Sequence, residues 1–322
     1  MARSDEGRAG GGRTVIVLGT GGTIAGTAQQ ATESVRYTSA QLGAEALVAA
    51  VPALREVPIE AEQLAQLDSK DMEPSVWVRL AQRVAHHLGR DEVAGVVITH
   101  GTDTLEETAW VLHRLVDAHR PVVLTAAMRP ATSLQADGPQ NLLDAVTVAR
   151  EPGARGVVVA MGGQVQAGAD VRKVRSWGLD AFAAVRGGPV ALVQAGRVIP
   201  LRPWPGDGRA DPAPALPADG AAWPWVEVVT SHAGADARAV EALVAAGVRG
   251  LAVAATGNGS VHHRLEAALA KAMAQGVAVR RATRCAFDGI VEGGGGTLPA
   301  AQDLTPAQAR AELMLALLPR QG

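Results

Sequence analysis

The 322-residue chain is poor in several residue types, and each scarcity excludes a class of structure or function. A single cysteine, Cys285, cannot form an intrachain disulfide, and the eight histidines show no zinc-type spacing with it, so no metal site is expected. Aromatic residues make up 3% of the chain, with one tyrosine, Tyr37, and lysine is confined to Lys70, Lys173 and Lys271. Positions that hold such rare residues are natural places to look for function.

The chain has 30 basic and 32 acidic residues, so that its net charge is only −2 and neither sign of charge dominates. No overall field therefore attracts nucleic acid or anionic lipid, and neither is expected as a partner. No run approaches the ~18 uncharged apolar residues of a transmembrane helix. The first apolar run, Val15–Leu18, is much shorter than the core of a signal peptide, so we expect a cytoplasmic protein.

The order of apolar segments predicts an α/β fold. Short β-branched runs alternate with segments of helical period, as in a largely parallel sheet covered by helices. A helix with Pro74 near its first turn is predicted next, because apolar residues form one stripe from Val76 to Leu88. Strands are predicted at residues 14–18, 93–99, 121–124, 156–160 and 190–193.

A change of composition divides the chain. Residues 200–224 contain seven prolines and no periodicity, which predicts a linker. We therefore expect a larger N-terminal α/β domain with a mostly parallel sheet over residues 1–199, and a smaller C-terminal α/β domain over residues 225–322. The smaller domain should contain strands at 226–229, 251–254 and 277–280, and helices at 236–246, 261–274 and after Pro306.

A glycine-rich segment, GTGGTIAG at residues 19–26, directly follows the first predicted strand. A dinucleotide fingerprint would need glycine where Ile24 stands and a helix after it, so that interpretation fails. Glycine turns after parallel strands are nevertheless common ligand sites, because their backbone N–H groups are free and no side chain blocks the approach. The hydroxyl of Thr23 either faces such a site or caps a tight turn.

A second polar segment, residues 100–107, follows the strand that ends at Thr99. Thr104 and Glu107 have the spacing of a capping box, which predicts a helix start there and an anion-binding N-terminus. Thr102 and Asp103 precede that start, where they either contact a ligand or, in the case of Asp103, satisfy helix N–H groups. A lone lysine such as Lys173 is by itself usually a solvated surface charge.

Together these segments resemble the bacterial L-asparaginase and glutaminase family that uses a threonine nucleophile. The resemblance rests on five motifs in order: GTGGTIAG at 19–26, THGTDTLEETAW at 99–110, AAMRP at 126–130, ADGPQNLLDAV at 136–146 and DVRK at 170–173. TGNGS at 256–260 and QARAELMLAL at 308–317 extend it over nearly the whole chain. It implies hydrolysis of asparagine to aspartate and ammonia through an acyl-threonine, with some glutaminase activity and no cofactor.

The resemblance also implies catalytic roles for five residues. Thr23 matches the nucleophile, and Tyr37 matches the tyrosine that closes over it from a mobile loop. Thr102 and Lys173 match the second threonine and the lysine beside it, and Asp103 matches the aspartate that receives the substrate's α-amino group. These three residues are expected to form a second essential group. Since no histidine occupies these motifs at a matching position, a lysine or a tyrosine must activate the hydroxyl. Backbone N–H groups of the turn at 21–23 are expected to stabilise the oxyanion.

Five further residues are predicted to bind substrate. Ser69 matches the serine that holds the α-carboxylate, while Gly22 lies in the motif of the nucleophile and Ala127 in the AAMRP motif. Lys70 stands where periplasmic members have Gln or Glu, and it either adds a charge near the carboxylate pocket or points into solvent. Asn258 matches the asparagine that reaches a neighbouring subunit's site, which implies a homo-oligomer, either a dimer or a tetramer.

The chain departs from the family pattern between Arg284 and Leu304, where it is shorter. The acidic residue that completes the neighbour's site has no clear counterpart there, and Glu292 is the nearest substitute. Two alternatives remain open. An asparaginase-like subunit of a transfer-RNA-dependent amidotransferase carries an extra N-terminal domain, whereas eighteen residues precede Gly19 here. A non-catalytic amino-acid-binding protein would have no need to keep all five catalytic positions.

Overall fold

A computed structural model describes residues 12–33, 36–206, 208–210, 213–217, 219–291 and 297–320, with only the backbone described at Ala221. Glu292 and the predicted loop at 293–296 lie outside this part of the chain. The described residues form a large N-terminal unit and a smaller C-terminal unit, each with its own sheet and helices. The predicted α/β fold with a larger first domain is confirmed.

The N-terminal unit is built on an eight-stranded sheet. Its strands run in the order β10-β9-β6-β5-β4-β3-β1-β2, in which β2, β1, β3, β4 and β5 are parallel and the other neighbours antiparallel. A separate antiparallel pair, β7 and β8, lies beside it. The strands of this unit are β1 (Thr14–Gly21), β2 (Ile59–Leu67), β3 (Val93–Thr99), β4 (Val122–Thr125), β5 (Val157–Met161), β6 (Gln164–Ala167), β7 (Val171–Lys173), β8 (Phe182–Ala184), β9 (Ala191–Gln194) and β10 (Arg197–Pro200).

Helices cover both faces of this sheet, which explains why its central strands are continuously apolar. The helices are α1 (Ala44–Ala49), α2 (Pro74–Leu88), α3 (Leu105–Leu115) and α4 (Gly138–Ala149). Val15 and Val17 of β1 share one core with α1 and α4, whereas Ile16 and Leu18 share the opposite core with α2 and α3. The predicted helix with Pro74 near its start is confirmed as α2.

The C-terminal unit has a three-stranded parallel sheet in the order β11-β12-β13. Its elements are β11 (Val226–Thr230), α5 (Arg238–Ala245), β12 (Gly250–Ala255), α6 (His263–Ala274), β13 (Ala278–Thr283) and α7 (Pro306–Ala316). Helix α7 joins the two units, because its buried residues share a core with Trp77 of α2 and Val111 of α3. None of the helices in the described ranges is long and apolar enough to cross a membrane.

Two differences from the sequence-based expectations have physical causes. Strand β2 was not predicted because it lies at the sheet edge, has no fully buried residue and includes two glutamates. The proline-rich segment is packed rather than extended: Trp204 contacts the core of the N-terminal unit, and Trp223 is buried in the core shared by both units. The two tryptophan side chains pack this segment against the rest of the protein. A prediction based on the number of prolines and glycines does not take such contacts into account.

Candidate active site

The predicted site residues follow four neighbouring strands at the same edge of the sheet. Gly22 follows β1, Ser69 follows β2, Thr102 follows β3 and Ala127 follows β4. Because these strands are parallel and adjacent, their carboxyl ends meet, which is where open α/β sheets bind ligands. Residues more than a hundred positions apart in the chain are thereby brought together.

Glycine is required where the first three of these strand ends meet. Gly22 has a φ of 81°, and a Cβ atom there would overlap the backbone of Gly101. A Cβ atom at Gly101 would in turn overlap the hydroxyl of Ser69. The lack of side chains at both positions lets the three backbone segments pack directly against one another.

Thr23 and Tyr37 are in direct contact. Thr23 lies in a buried 3-10 turn, Thr23–Ala25, and its Oγ1 is 2.7 Å from the Tyr37 hydroxyl. Two backbone hydrogen bonds of 2.9 Å between Thr27 and Thr38 hold the tyrosine segment against this turn. At Gly26 a Cβ atom would stand 2.9 Å from the Tyr37 ring, so glycine leaves room for it.

Thr102, Asp103 and Lys173 form a second cluster. The Lys173 ammonium donates to Thr102 Oγ1 at 2.9 Å and to Asp103 Oδ1 at 2.6 Å. Lys173 ends strand β7 and its side chain is 19% exposed, so it is not the solvated surface charge that a lone lysine usually is. The carboxylate of Asp103 pairs with this lysine and caps no helix N–H group. The alternative in which Asp103 only satisfies N–H groups of the helix is therefore excluded.

Ser69 is fixed by the start of helix α3. Its Oγ accepts the backbone N–H of Asp103 at 3.1 Å, and its carbonyl accepts the hydroxyl of Thr104 at 2.7 Å. The predicted capping box of Thr104 and Glu107 is therefore wrong, because the Thr104 hydroxyl serves the neighbouring loop and caps nothing. The predicted helix start is nevertheless confirmed, since α3 begins at Leu105.

A neutral histidine lies beneath the junction of β3 and α3. Complete burial lowers the pKa of His100 to about 4, because a charged imidazole would lose its hydration there. The neutral ring fits its partners: Nδ1–H donates to the Gly101 carbonyl at 2.7 Å, and Nε2 accepts from the Thr108 hydroxyl at 3.0 Å. Trp77 Nε1 completes the chain by donating to Thr108 Oγ1 at 2.9 Å.

All five residues predicted to be catalytic line one cavity of about 400 Å³. Ser69 also lines it, in agreement with its position beside Thr102. Sequence reasoning did not name the five other lining residues as site residues, although Met128 and Arg129 lie in the AAMRP motif. The cavity is lined by Thr23, Tyr37, Asp68, Ser69, Thr102, Asp103, Met128, Arg129, Lys173, Ser176 and Trp177.

Four of the predicted substrate-binding residues do not line this cavity. Gly22 packs on Gly101, and Ala127 is fully buried. The Lys70 ammonium is exposed and lies 3.0 Å from the Asp68 carboxylate. Asn258 belongs to the C-terminal unit, and its side chain exchanges hydrogen bonds of 3.1 and 2.8 Å with the backbone of Val291.

The turn at 21–23 offers fewer oxyanion donors than expected. The Gly22 N–H already donates to the Leu67 carbonyl at 3.0 Å, because β1 and β2 pair up to this point. The Thr23 N–H has no acceptor among the residues that the structure describes. No group of three or more His, Cys, Asp or Glu side chains suited to a metal ion occurs in those same ranges.

Comparisons with known proteins match both units. Residues 14–204 match the family domain described as Asparaginase, N-terminal, and residues 225–320 match the Glutaminase/Asparaginase C-terminal domain. The chain is 37% identical to L-asparaginase 2 of Escherichia coli, covering 94% of this chain and 88% of that one. It is 35% identical to the glutaminase-asparaginase of Pseudomonas fluorescens, covering 95% and 87%.

A solved structure agrees with these matches. The crystal structure of a probable cytoplasmic L-asparaginase from Campylobacter jejuni superposes with a TM-score of 0.85 at 33% identity, covering 95% of both chains. The similarity thus extends over nearly the whole length of both chains. The chain belongs to the asparaginase family.

Proposed function

We propose that this protein hydrolyses the side-chain amide of L-asparagine to L-aspartate and ammonia through an acyl intermediate on Thr23. One observation carries the proposal: a single cavity contains two threonine hydroxyls, one within 2.7 Å of the Tyr37 hydroxyl and the other within 2.9 Å of the Lys173 ammonium. Two separately activated hydroxyls suit a reaction with two steps, acylation and deacylation.

In the first step Thr23 Oγ1 attacks the amide carbon. An alcohol needs a proton acceptor within hydrogen-bond reach, and Tyr37 is the group in contact with it. Tyr37 takes the threonine proton and delivers a proton to the leaving nitrogen, so that ammonia departs and its own hydroxyl is restored. The Thr23 N–H is available to the oxyanion, and one such donor contributes roughly 2.7–4 kcal/mol in other enzymes.

In the second step water attacks the acyl-threonine. We assign the transfer of the water proton to Thr102, whose hydroxyl takes up this proton and passes its own proton on towards Thr23 Oγ1. The Lys173 ammonium orients that hydroxyl through the 2.9 Å hydrogen bond. The proton returns to Thr23 Oγ1 as the ester bond breaks and aspartate is released. Asp103, at 2.6 Å from the ammonium, compensates the charge of Lys173 and keeps it in place.

The α-groups of the substrate are assigned to Ser69 and Asp103. Ser69 Oγ accepts a hydrogen bond from the Asp103 backbone, so its own proton is free for the α-carboxylate. Asp103 Oδ1 is bound to Lys173, and its second oxygen has no partner in the described part of the chain, which leaves it for the α-ammonium group. Glutamine is a second candidate substrate, because the Pseudomonas fluorescens relative is named a glutaminase-asparaginase.

Two further parts of the proposal concern the whole protein. We propose a homo-oligomer with Asn258 contributing to a neighbour's site, which fits its position outside the cavity of its own chain. We also propose a cytoplasmic location, supported by the description of the Campylobacter jejuni neighbour as cytoplasmic. Cell fractionation tests the location, and recovery in the periplasm would contradict it.

The decisive experiment combines ammonia release with intact-mass analysis. Wild-type protein should release ammonia from asparagine and, at low temperature, carry an aspartyl adduct on Thr23. Thr23→Ala should lose both, whereas Thr147→Ala, which removes a hydroxyl bonded within helix α4, should keep both. The absence of ammonia release from the wild type, or near-normal turnover by Thr23→Ala, would reject the proposed function.

A further inference from the structure

One carboxylate next to the cavity has no part in the chemistry proposed above. Glu106 lies in the first turn of α3, largely buried, and does not line the cavity. Its Oε2 accepts the backbone N–H of Lys173 at 2.8 Å, and its Oε1 accepts the hydroxyl of Thr305 at 3.0 Å. The same carboxylate therefore joins the strand that carries Lys173 to the start of helix α7 in the C-terminal unit.

The start of α7 is arranged to make this contact. Thr305 is the N-cap of α7, and its Oγ1 accepts the backbone N–H of Gln308 at 3.1 Å, so the hydroxyl proton is left for Glu106. Gln308 makes a second link, because its side-chain amide donates to the Val171 carbonyl at 3.3 Å. Both ends of strand β7 are thus bound by groups outside its own small sheet.

Strand β7 needs this support because its own pairing is weak. It has three residues and pairs with β8 alone, with Lys173 opposite Phe182. The Lys173 ammonium must nevertheless reach Thr102 and Asp103 on a different part of the N-terminal unit. A displacement of about 1 Å at a catalytic group can cost roughly 100-fold in rate, so anchoring of its backbone has a direct effect on turnover.

We infer that Glu106 and Thr305, assisted by Gln308, are positioning residues that hold Lys173 at Thr102. This inference rests on the role proposed above for Lys173. The C-terminal unit thereby takes part in catalysis within its own chain without touching the substrate, through a link between a helix cap and the strand of the catalytic lysine. A contact that merely stabilised the junction of the two units would not be directed at that one backbone N–H.

The neighbouring residue provides a matched control. Glu107 is also largely buried in the first turn of α3, and it faces α7 through Arg310, with 3.9 Å between their charged atoms. It joins the same two helices, and no hydrogen bond or ion pair links it to β7 in the described structure. Glu106→Gln and Glu107→Gln therefore each replace one carboxyl group at the same interface, and only the first changes the support of Lys173.

The test measures kcat and KM for asparagine together with the Thr23 adduct. Lys173 and Thr305 contact different oxygens of Glu106, and in glutamine an NH₂ donor replaces one of these two acceptors. The hydrogen bond that this oxygen accepts is therefore lost in Glu106→Gln. Glu106→Gln should lower kcat by roughly 10- to 100-fold with KM nearly unchanged, and the aspartyl adduct should accumulate because deacylation slows. Thr305→Val should act in the same direction, and Thr305→Ser, which keeps the hydroxyl, should restore turnover.

The outcomes separate this inference from the proposed function. If Glu106→Gln keeps its kcat, or if Glu107→Gln loses as much, the positioning role is wrong while the asparaginase reaction stands. If Glu106→Gln does not fold, the Thr305 pair decides: loss in the valine variant with rescue in the serine variant supports the role, and full activity in the valine variant refutes it. A wild type that releases no ammonia instead rejects the proposed function.

Discussion

At the scale of single residues, the contact between Thr23 and Tyr37 is the most direct test of the acylation step. Tyr37→Phe removes the hydroxyl at 2.7 Å from the nucleophile but keeps the ring that packs on Gly26. Loss of a positioned proton-transfer group should lower kcat by about 100-fold or more, because such groups contribute roughly 10²–10⁴-fold. Steady-state kinetics and thermal melting measure this; near-normal kcat in a folded variant would show that another group accepts the threonine proton.

A second prediction at this scale concerns the Lys70 charge, which acts through Asp68. Burial alone would raise the pKa of Asp68, but hydrogen bonds from Lys70 and Ser39 outweigh it and hold the pKa below its usual value. Asp68 therefore lines the cavity as a carboxylate. Lys70→Gln leaves this charge uncompensated close to the substrate's α-carboxylate, so KM for asparagine should rise by about threefold at low ionic strength.

Salt and a remote lysine provide the controls for Lys70. Because screening weakens interactions between exposed charges, the KM difference should shrink in high salt. Lys271→Gln, on the exposed surface of helix α6, should leave KM unchanged. If Lys70→Gln has the same KM as the wild type at low salt, Lys70 is a surface residue with no effect on substrate binding. The ratio of asparagine to glutamine turnover should be measured in the same experiment.

At the scale of elements, the junction of β3 and α3 makes stability depend on pH. His100 is neutral in the fold with a pKa of about 4, whereas an unfolded histidine titrates near 6.5. Between these values the unfolded chain binds a proton that the folded chain does not, so stability falls as pH drops through this window. The difference corresponds to about 3 kcal/mol at pH 4, as an order of magnitude.

His100→Gln should abolish this component of the pH dependence. The variant should be less stable than the wild type at pH 7, where the hydrogen bonds of the imidazole to Gly101 and Thr108 are lost. Urea unfolding at several pH values should then show the difference between the two proteins narrowing from pH 7 to pH 4. His119→Gln, at an exposed site, is the control; a difference that stays constant with pH would refute the prediction.

The same junction shows how far sequence reasoning reaches. The strand β3, the start of α3 and the nearness of Thr102 and Asp103 to a site followed from apolar runs and motif order. The hydrogen bonds of this junction could not be predicted in the same way. The Thr104 hydroxyl donates to the Ser69 carbonyl, more than thirty positions away, and the local capping box does not form. Local spacing predicts where an element starts, whereas its partners depend on which strands become neighbours in the sheet.

Edge position and long-range pairing account for the other misses. Strand β2, which leads to Asp68 and Ser69, is an edge strand whose residues are only partly buried. Its sequence therefore contains no continuous apolar run that would predict a strand. Glu106 gave no sign of its link to Thr305, almost two hundred positions away, because a glutamate in a first helical turn is expected for dipole reasons alone. Burial and partners set these roles, and neither can be read from composition.

At the scale of the whole molecule, the proposed contribution of Asn258 to a neighbouring site can be tested by mixing subunits. Within its own chain Asn258 holds the backbone of Val291, so an effect of Asn258→Ala alone does not separate a local role from a shared one. Light scattering should first give a mass that is a multiple of the 33.0-kDa chain. A fully active monomer would contradict the shared-site proposal outright.

Mixed oligomers of Thr23→Ala and Asn258→Ala then provide the decisive comparison. If a two-fold axis pairs Asn258 of one subunit with Thr23 of the other, each mixed pair contains one site with both native residues and one with neither. Random exchange of equal amounts should therefore recover about a quarter of wild-type activity from two poorly active proteins. Recovery requires that Thr23 and Asn258 act in the same site but belong to different chains. If the role of Asn258 were purely local, every site in the mixture would either lack Thr23 or have a disturbed Val291 segment in its own chain, and no activity would be recovered.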